Sequence, residues 1–151
     1  MHSIVRRYIK TAIAFLAVGL AIGVAGVLQR ELWNRWPSPH HVSAHTHAIL
    51  VGFVMMMIQG VAIWLFPRPD KEDTRYDPQR ISASWWGMTL GTILRVGGEL
   101  GRAWSDTPVL RAAVVAGALL QVAGIGIFFY TMWTRVRAVG SALREARGER
   151  F

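Results

Sequence analysis

Four long apolar stretches constrain the fold of this chain more than any other feature. Residues 11–29, 37–66 and 112–134 contain no Lys, Arg, Asp or Glu, and a shorter uncharged stretch covers residues 81–94. A helix needs about 20 apolar residues to cross a bilayer core, so the shorter stretch must continue past Arg95. A chain of 151 residues is too short to cover four such helices with polar surface. We therefore predict one all-α domain, an integral membrane bundle of four transmembrane helices over residues 8–30, 39–66, 81–101 and 108–137.

The basic residues predict the orientation of these helices. Twelve of the seventeen Lys and Arg residues lie before the first uncharged stretch, between the second and third, or after the fourth. The positive-inside rule then predicts both termini on the cytoplasmic side. The formal net charge of +8 follows mostly from this asymmetry, which favours contact with anionic lipid over nucleic acid. The twelve residues are Arg6, Arg7, Lys10, Arg68, Lys71, Arg75, Arg80, Arg135, Arg137, Arg144, Arg147 and Arg150.

Four of the five histidines lie within residues 40–47, at the start of the second predicted helix. We predict that Ser38 caps this helix and that Pro39 is its first residue. His45 and His47 are two residues apart, which is about 200° of helical rotation, so they face opposite ways and cannot bind one metal together. His41 and His45 share a face, with the spacing of a two-histidine metal site. Either one of His45 and His47 is a ligand, or each serves a different cofactor.

A haem is the cofactor that the surrounding residues favour. Imidazole nitrogen is a common ligand of haem iron. The two propionates of a haem need cations, and Arg95, Arg102 and Arg111 are predicted at the level of the histidines. For Arg95, an ion pair with Glu99 four residues later explains the charge equally well. Glycines in the predicted helices leave room for a flat macrocycle: Gly52, Gly60, Gly97 and Gly98.

The segment AHTHAILVGFVMMMIQGVAIWLFP, residues 44–67, resembles the histidine-bearing helices of the haem–copper oxidase subunit I superfamily, which includes nitric oxide reductases. The resemblance implies that the chain corresponds to one four-helix third of subunit I. It implies haem b, with its iron bound by His45 and His47, in the cytoplasmic membrane of a bacterium or archaeon and near the outer face. It further implies a homotrimer whose haems lie between His45 of one subunit and His47 of the next, with a quinol or a cytochrome as redox partner.

The sequence departs from the oxidases of that superfamily. The third and fourth predicted helices contain no histidine, and the tyrosines Tyr8, Tyr76 and Tyr130 are all predicted at the cytoplasmic end. We therefore expect no copper site and no oxygen-reducing enzyme. The expected role is electron transfer or binding of a diatomic gas such as NO, O2 or CO. Ligation by two histidines favours electron transfer, and a five-coordinate haem favours gas binding.

Two other functions fit the same residues. A copper or divalent-metal membrane protein would use His40, His41 and His45. A cofactor-free assembly subunit would carry these histidines only as residues of the membrane interface. Replacing the histidines should leave an assembly subunit unaltered but should remove the haem from a haem protein.

Small and soft residues inside the helices add weaker signals. Gly19 with Gly23, and Gly87 with Gly91, form G-x-x-x-G pairs that let helices approach closely, either within the bundle or in an oligomer. The run of methionines at residues 55–57 is predicted to be packing rather than a ligand set. The basic tail is predicted to extend the fourth helix into the cytoplasm as an amphipathic segment.

Overall fold

The computed structural model describes residues 3–69 and 73–137, together with positions 140, 144, 147 and 148. Within this described part the chain is all-helical, without strands, and has four helices in total. The helices are α1 (Ser3–Trp33), α2 (Pro39–Leu65), α3 (Pro78–Arg102) and α4 (Pro108–Met132), and a 3₁₀ turn (Trp133–Arg135) follows α4. The predicted all-α class is confirmed. The fourth helix, predicted over residues 108–137, ends at Met132 and is followed by the 3₁₀ turn. The basic tail that was predicted to extend it lies largely outside the described residues.

Three of the helical segments are long and apolar enough to cross a membrane: Ser3–Trp33, Pro39–Leu65 and Pro108–Arg135. The remaining helix, α3, is 25 residues long. It carries Arg95 and Glu99 in its C-terminal third, and its buried residues include the polar Ser84 and Thr92. The chain therefore has three helices compatible with a multi-pass membrane protein and a fourth with a polar face.

Three helices begin with the same local chemistry. In each, a side-chain oxygen of the N-cap residue accepts a hydrogen bond from a backbone N–H in the first turn, and proline follows the cap. Such a cap satisfies an otherwise unpaired N–H, and proline at the first position loses no hydrogen bond. The prediction for Ser38 and Pro39 is thus confirmed. The three caps are Ser38, Asp77 and Thr107.

The four helices run alternately up and down. The carbonyl of Gly19 in α1 meets His45 in α2, whereas Gly60 near the other end of α2 packs on Tyr8 near the start of α1. Helix α2 packs on α1 and, through its first half, on α3, while α4 packs chiefly on α3. The larger buried cluster surrounds Tyr8, Met56 and Phe128. The predicted packing role of the methionine run is confirmed for Met56, which is fully buried there.

Both G-x-x-x-G pairs make contacts within the chain. A Cβ atom at Gly19 would lie 2.5 Å from the side chain of Ile49 in α2. A Cβ atom at Gly91 would lie 2.8 Å from the carbonyl oxygen of Gly117 in α4. Both distances are shorter than side-chain carbon atoms tolerate, so glycine permits the close approach of α1 to α2 and of α3 to α4. These glycines therefore serve packing inside the bundle.

A buried arginine joins the end of α4 to the end of α2. The guanidinium of Arg135 donates to the carbonyl oxygens of Ile63, Phe66 and Pro67 at 3.0, 3.0 and 2.7 Å, and it lies 5.0 Å from the ring of Tyr76. The last carbonyls of a helix have no partner within the helix. Arg135 supplies partners for the carbonyls at the C-terminal end of α2.

Candidate functional site

His45 packs against α1. Its Nδ1 is 2.8 Å from the carbonyl oxygen of Gly19, and a Cβ atom at Gly23 would lie only 2.7 Å from its Cε1. A carbonyl oxygen can only accept, so Nδ1 carries the proton of this hydrogen bond. In the neutral ring Nε2 then keeps its lone pair. A hydrogen bond from one ring nitrogen to a carbonyl is the usual way in which a metal-binding histidine is oriented.

His41 contacts α1 one turn closer to the start of α2. Its Nε2 is 2.9 Å from the carbonyl oxygen of Ile22, and a Cβ atom at Gly26 would lie 3.3 Å from the same nitrogen. In the neutral ring Nδ1 keeps the lone pair here. His41 and His45 therefore share the face of α2 that meets α1, as the four-residue spacing requires.

His47 contacts a different helix. Its Nδ1 is 3.0 Å from a carboxylate oxygen of Glu99 in α3. The hydroxyl of Ser43 donates to the other oxygen of Glu99 at 2.9 Å and lies 3.3 Å from Nδ1 of His47. Orientation of one ring nitrogen by a carboxylate is again typical of a metal-binding histidine and leaves Nε2 unpaired in the neutral ring.

Glu99 is the centre of a buried polar network between α2, α3 and α4. Its residue is only 4% exposed, and burial of a carboxylate costs free energy unless the charge is paired. Nε of Arg95 is 3.4 Å from Glu99, and Nη1 of Arg95 donates to the side chain of Gln121 at 3.1 Å. Gln121 in turn donates to Thr92 at 3.1 Å. The ion pair between Arg95 and Glu99, one of the two explanations for Arg95, is present.

Arg102 and Arg111 both pair with Asp106 at the turn between α3 and α4. Nε of Arg102 is 2.9 Å from Asp106, and Arg111 donates to both oxygens of the same carboxylate at 3.0 and 2.6 Å. The hydrogen bonds from Arg111 and then from Arg102 lower the pKa of Asp106 to about 2. Both predicted propionate partners are thus engaged by a carboxylate of their own turn.

Three of the four predicted glycines serve helix packing rather than a flat ligand, whereas Gly97 is exposed and has no atom within 4 Å of an added Cβ. At Gly52 a Cβ atom would lie 2.7 Å from Cβ of Phe15, so α1 fills this space. Gly60 packs on Tyr8 in the same way, and Gly98 packs on Val114 of α4. Gly52 therefore leaves no room for a macrocycle unless Phe15 moves.

An open groove of about 620 Å³ lies between α1 and the first half of α2. His41 and His45 line it, among apolar side chains that include Leu20, Val24, Val27 and Val42. Arg30 and Trp36 line its end nearest the C-terminus of α1, which is called the outer end below. Pockets for small ligands and cofactors typically have volumes of about 300–1,000 Å³ and mostly apolar walls with a few polar groups. The groove has the size and the lining of such a pocket.

A π-helical segment, Ala48–Met55, follows the histidines directly within α2. Such segments are rare and occur frequently at functional sites. Its wider turn rotates the rest of α2 relative to the histidine-bearing turns. Neither the apolar sequence of this segment nor its residue spacing predicted it.

The structure thus brings together some of the predicted residues and separates others. His45 borders the groove on α1, and His47 lies on the other side of α2 with Glu99 and Arg95. Among the described residues no group of three or more His, Asp or Glu side chains is placed to hold a metal ion.

Two residues near the histidines, Ser43 and Arg30, were not predicted as site residues from the sequence. Ser43 precedes His47 by four residues, so the helical period places the two on one face, a signal that could have found it. Arg30 carries no such signal, because its position beside the groove depends on how α1 packs against α2.

No family model matches this chain, and no curated protein or solved structure matches it either. The likeness of residues 44–67 to haem–copper oxidase subunit I therefore stays a resemblance carried by α2 alone.

Proposed function

We propose that this chain is an integral membrane protein that binds haem b and acts in electron transfer or in the binding of a diatomic gas. One observation carries the proposal. His45 is held by its Nδ1 against α1, its Nε2 has a free lone pair in the neutral ring, and the ring borders an apolar groove. Fixed orientation, an available nitrogen and apolar surroundings are the properties of an axial haem ligand.

The residues present fit a haem better than a bare metal ion. The groove offers about 620 Å³ of mostly apolar space, whereas the described residues provide no cluster of three metal-binding side chains. When bound, the haem would supply one-electron redox chemistry or an iron site for a gas. The chain would hold it through His45 and shield it from water with the apolar walls of α1 and α2.

His47 supports a site shared between subunits. It contacts α3 on the opposite side of α2 from the groove, so it cannot reach a haem held by His45 of the same chain. A homotrimer would place His47 of one subunit opposite His45 of the next. We expect one haem per chain and a trimeric mass in detergent by light scattering. A haem-loaded monomer would exclude the shared site.

The proposal places the histidine end of the bundle near the outer face of a bacterial or archaeal cytoplasmic membrane, with both termini inside. The positive-inside rule supports this orientation. Exposed tryptophans near both ends of the helices support a belt at each membrane interface. They are Trp33, Trp36 and Trp104 near the histidine end, and Trp64, Trp86 and Trp133 near the other end.

A second candidate function has a specific observation in its favour. His41 and His45 both border the groove, and each has one ring nitrogen without a hydrogen bond among the described residues. A copper ion bound by these two histidines would need further ligands from another molecule.

A purely structural role rests on the same two hydrogen bonds to α1, because polar contacts of this kind join helices inside a membrane.

Histidine replacement separates these functions. In the haem protein, His45→Gly should lose the haem, and added imidazole should restore its absorption spectrum by filling the vacated space. The matched control is His40→Ala, which changes a neighbouring histidine that does not line the groove. A copper site that includes His40 predicts loss of metal in the control as well. An assembly subunit predicts a colourless protein before any replacement.

A further inference from the structure

The three arginines predicted to bind haem propionates already have partners. Arg95 contacts Glu99 and Gln121. If Arg95 turned toward a ligand, the buried carboxylate of Glu99 would lose the charge that pairs with it. Arg102 and Arg111 share Asp106. None of the three lines the α1–α2 groove. The cation for an acidic ligand in this groove must therefore come from elsewhere.

Arg30 is a cation that lines the groove itself. Its side chain is 47% exposed and contacts Glu31 at 2.6 Å, a neighbour whose own side chain is 59% exposed. An exposed ion pair of this kind is weak, so Arg30 can exchange its partner at little cost. Its guanidinium carbon lies 5.6 Å from the ring centre of Trp36, which also lines the groove. This cation–π contact keeps the guanidinium at the outer end of the groove.

The spacing along α1 suits one ligand that reaches both His45 and Arg30. The ring of His45 lies against Gly23, and Arg30 follows seven residues later, about 10 Å along the helix. Haem is a flat ligand whose iron lies at its centre and whose two carboxylates project from one edge. If His45 held the iron, Arg30 would be the cation of the groove placed to hold a carboxylate of that edge.

We propose that Arg30 binds a propionate of the haem and that the acidic edge of the haem faces the outer aqueous side. This inference rests on the proposed haem function. Arginine binds carboxylates through paired, charge-assisted hydrogen bonds. The arrangement directs the exposed edge of the haem toward the side from which a redox partner outside the membrane would approach.

The test compares Arg30→Gln with two variants that remove the same charge elsewhere. Arg35→Gln lies in the loop after α1 and does not line the groove, and Arg102→Gln removes a partner of Asp106. Two properties are measured on the purified, haem-loaded proteins. One is the rate of haem loss to an excess of an apo-haem-binding protein, and the other is the midpoint potential from a redox titration.

We expect Arg30→Gln to lose haem about tenfold faster than wild type, as expected for the loss of one charge-assisted hydrogen bond. Its midpoint potential should fall, because a cation near the haem destabilises the ferric state. Arg30→Lys should lie between Arg30→Gln and wild type in both the rate of haem loss and the midpoint potential. The two controls should match wild type. Equal behaviour of Arg30→Gln and Arg35→Gln, or haem loss only in Arg102→Gln, would overturn the role of Arg30. A wild-type protein that binds no haem would overturn the proposed function and this inference together.

Discussion

A methyl group at Gly23 would act directly on the ring of His45. The new Cβ atom would lie 2.7 Å from Cε1 and 2.9 Å from Nδ1 of that ring. An ordinary carbon contact is at least 3.4 Å, so the ring must move by about 0.7 Å. The hydrogen bond from Nδ1 to Gly19 starts at 2.8 Å, and a shift of this size stretches it to its limit near 3.5 Å.

Two opposing terms set the effect of Gly23→Ala on folding. Alanine in place of glycine inside a helix stabilises by about 0.5–1 kcal/mol. Loss of the hydrogen bond from His45 costs about 0.5–1.5 kcal/mol. We therefore expect a free energy of unfolding close to that of wild type. For haem binding no gain offsets the loss, because the displaced ring is the one that should bind iron. We therefore expect the affinity for haem to fall about tenfold, equivalent to about 1.4 kcal/mol.

Gly97→Ala is the matched control for this prediction. Position 97 lies in α3, is exposed, and has no atom within 4 Å of an added Cβ. This variant gains the same helix propensity without touching a histidine. Thermal unfolding by circular dichroism and haem content per chain would be measured for both variants. Equal haem content in Gly23→Ala and Gly97→Ala would refute the claim that the contact of His45 with α1 positions a haem ligand.

Three further predictions concern the polar contacts of the bundle. Glu99→Gln keeps the size of the buried side chain but leaves Arg95 without its counter-charge. We therefore expect the free energy of unfolding, measured in detergent, to fall by about 2 kcal/mol. Arg135→Leu leaves three carbonyls at the end of α2 without their donor and should cost roughly 3 kcal/mol in the same unfolding assay, with Arg135→Lys intermediate. The pKa of Asp106 is about 2 in the folded chain, below its ordinary value, so its ionised form stabilises the fold above the ordinary pKa and this contribution is lost as pH falls toward 2. A melting temperature that declines over this acidic range in wild type should decline less in Asp106→Asn, and parallel pH profiles would contradict the role of the turn carboxylate.

The helices and the N-cap of α2 could be predicted from the sequence, because they depend on residues close together in the chain. The four helices follow from long uncharged stretches, and the start of α2 follows from the pairing of Ser38 with Pro39. The helical period placed His45 and His47 on different faces, and in the structure they contact different helices. The start of α1 at Ser3 lies five residues before the predicted position 8, because the basic residues there are good helix formers even where a bilayer core would end.

The remaining features depend on which helices meet. Arg102 and Arg111 were predicted to bind propionates, but the turn between α3 and α4 brings Asp106 to both of them. The neighbour of Gly52 is Phe15, thirty-seven positions away in the sequence, and only the packing of α1 on α2 reveals it. The groove beside Arg30 and the π-helical segment of α2 arise from tertiary packing in the same way. Apart from the four-residue spacing of Arg102 and Asp106, the sequence contains no local signal for these contacts.

The central claim is that His45 presents a free nitrogen to a haem in the α1–α2 groove. The most direct measurement is the visible absorption spectrum of the detergent-purified protein, expressed with ample haem, in the oxidised and dithionite-reduced states. It would be recorded for wild type and for His45→Gly, with and without carbon monoxide. We expect a b-type haem spectrum in wild type and its loss in His45→Gly. Insensitivity to carbon monoxide would favour two histidine ligands and electron transfer, and sensitivity would favour gas binding. A wild-type protein without haem absorption, or a His45→Gly spectrum identical to wild type, would contradict the account.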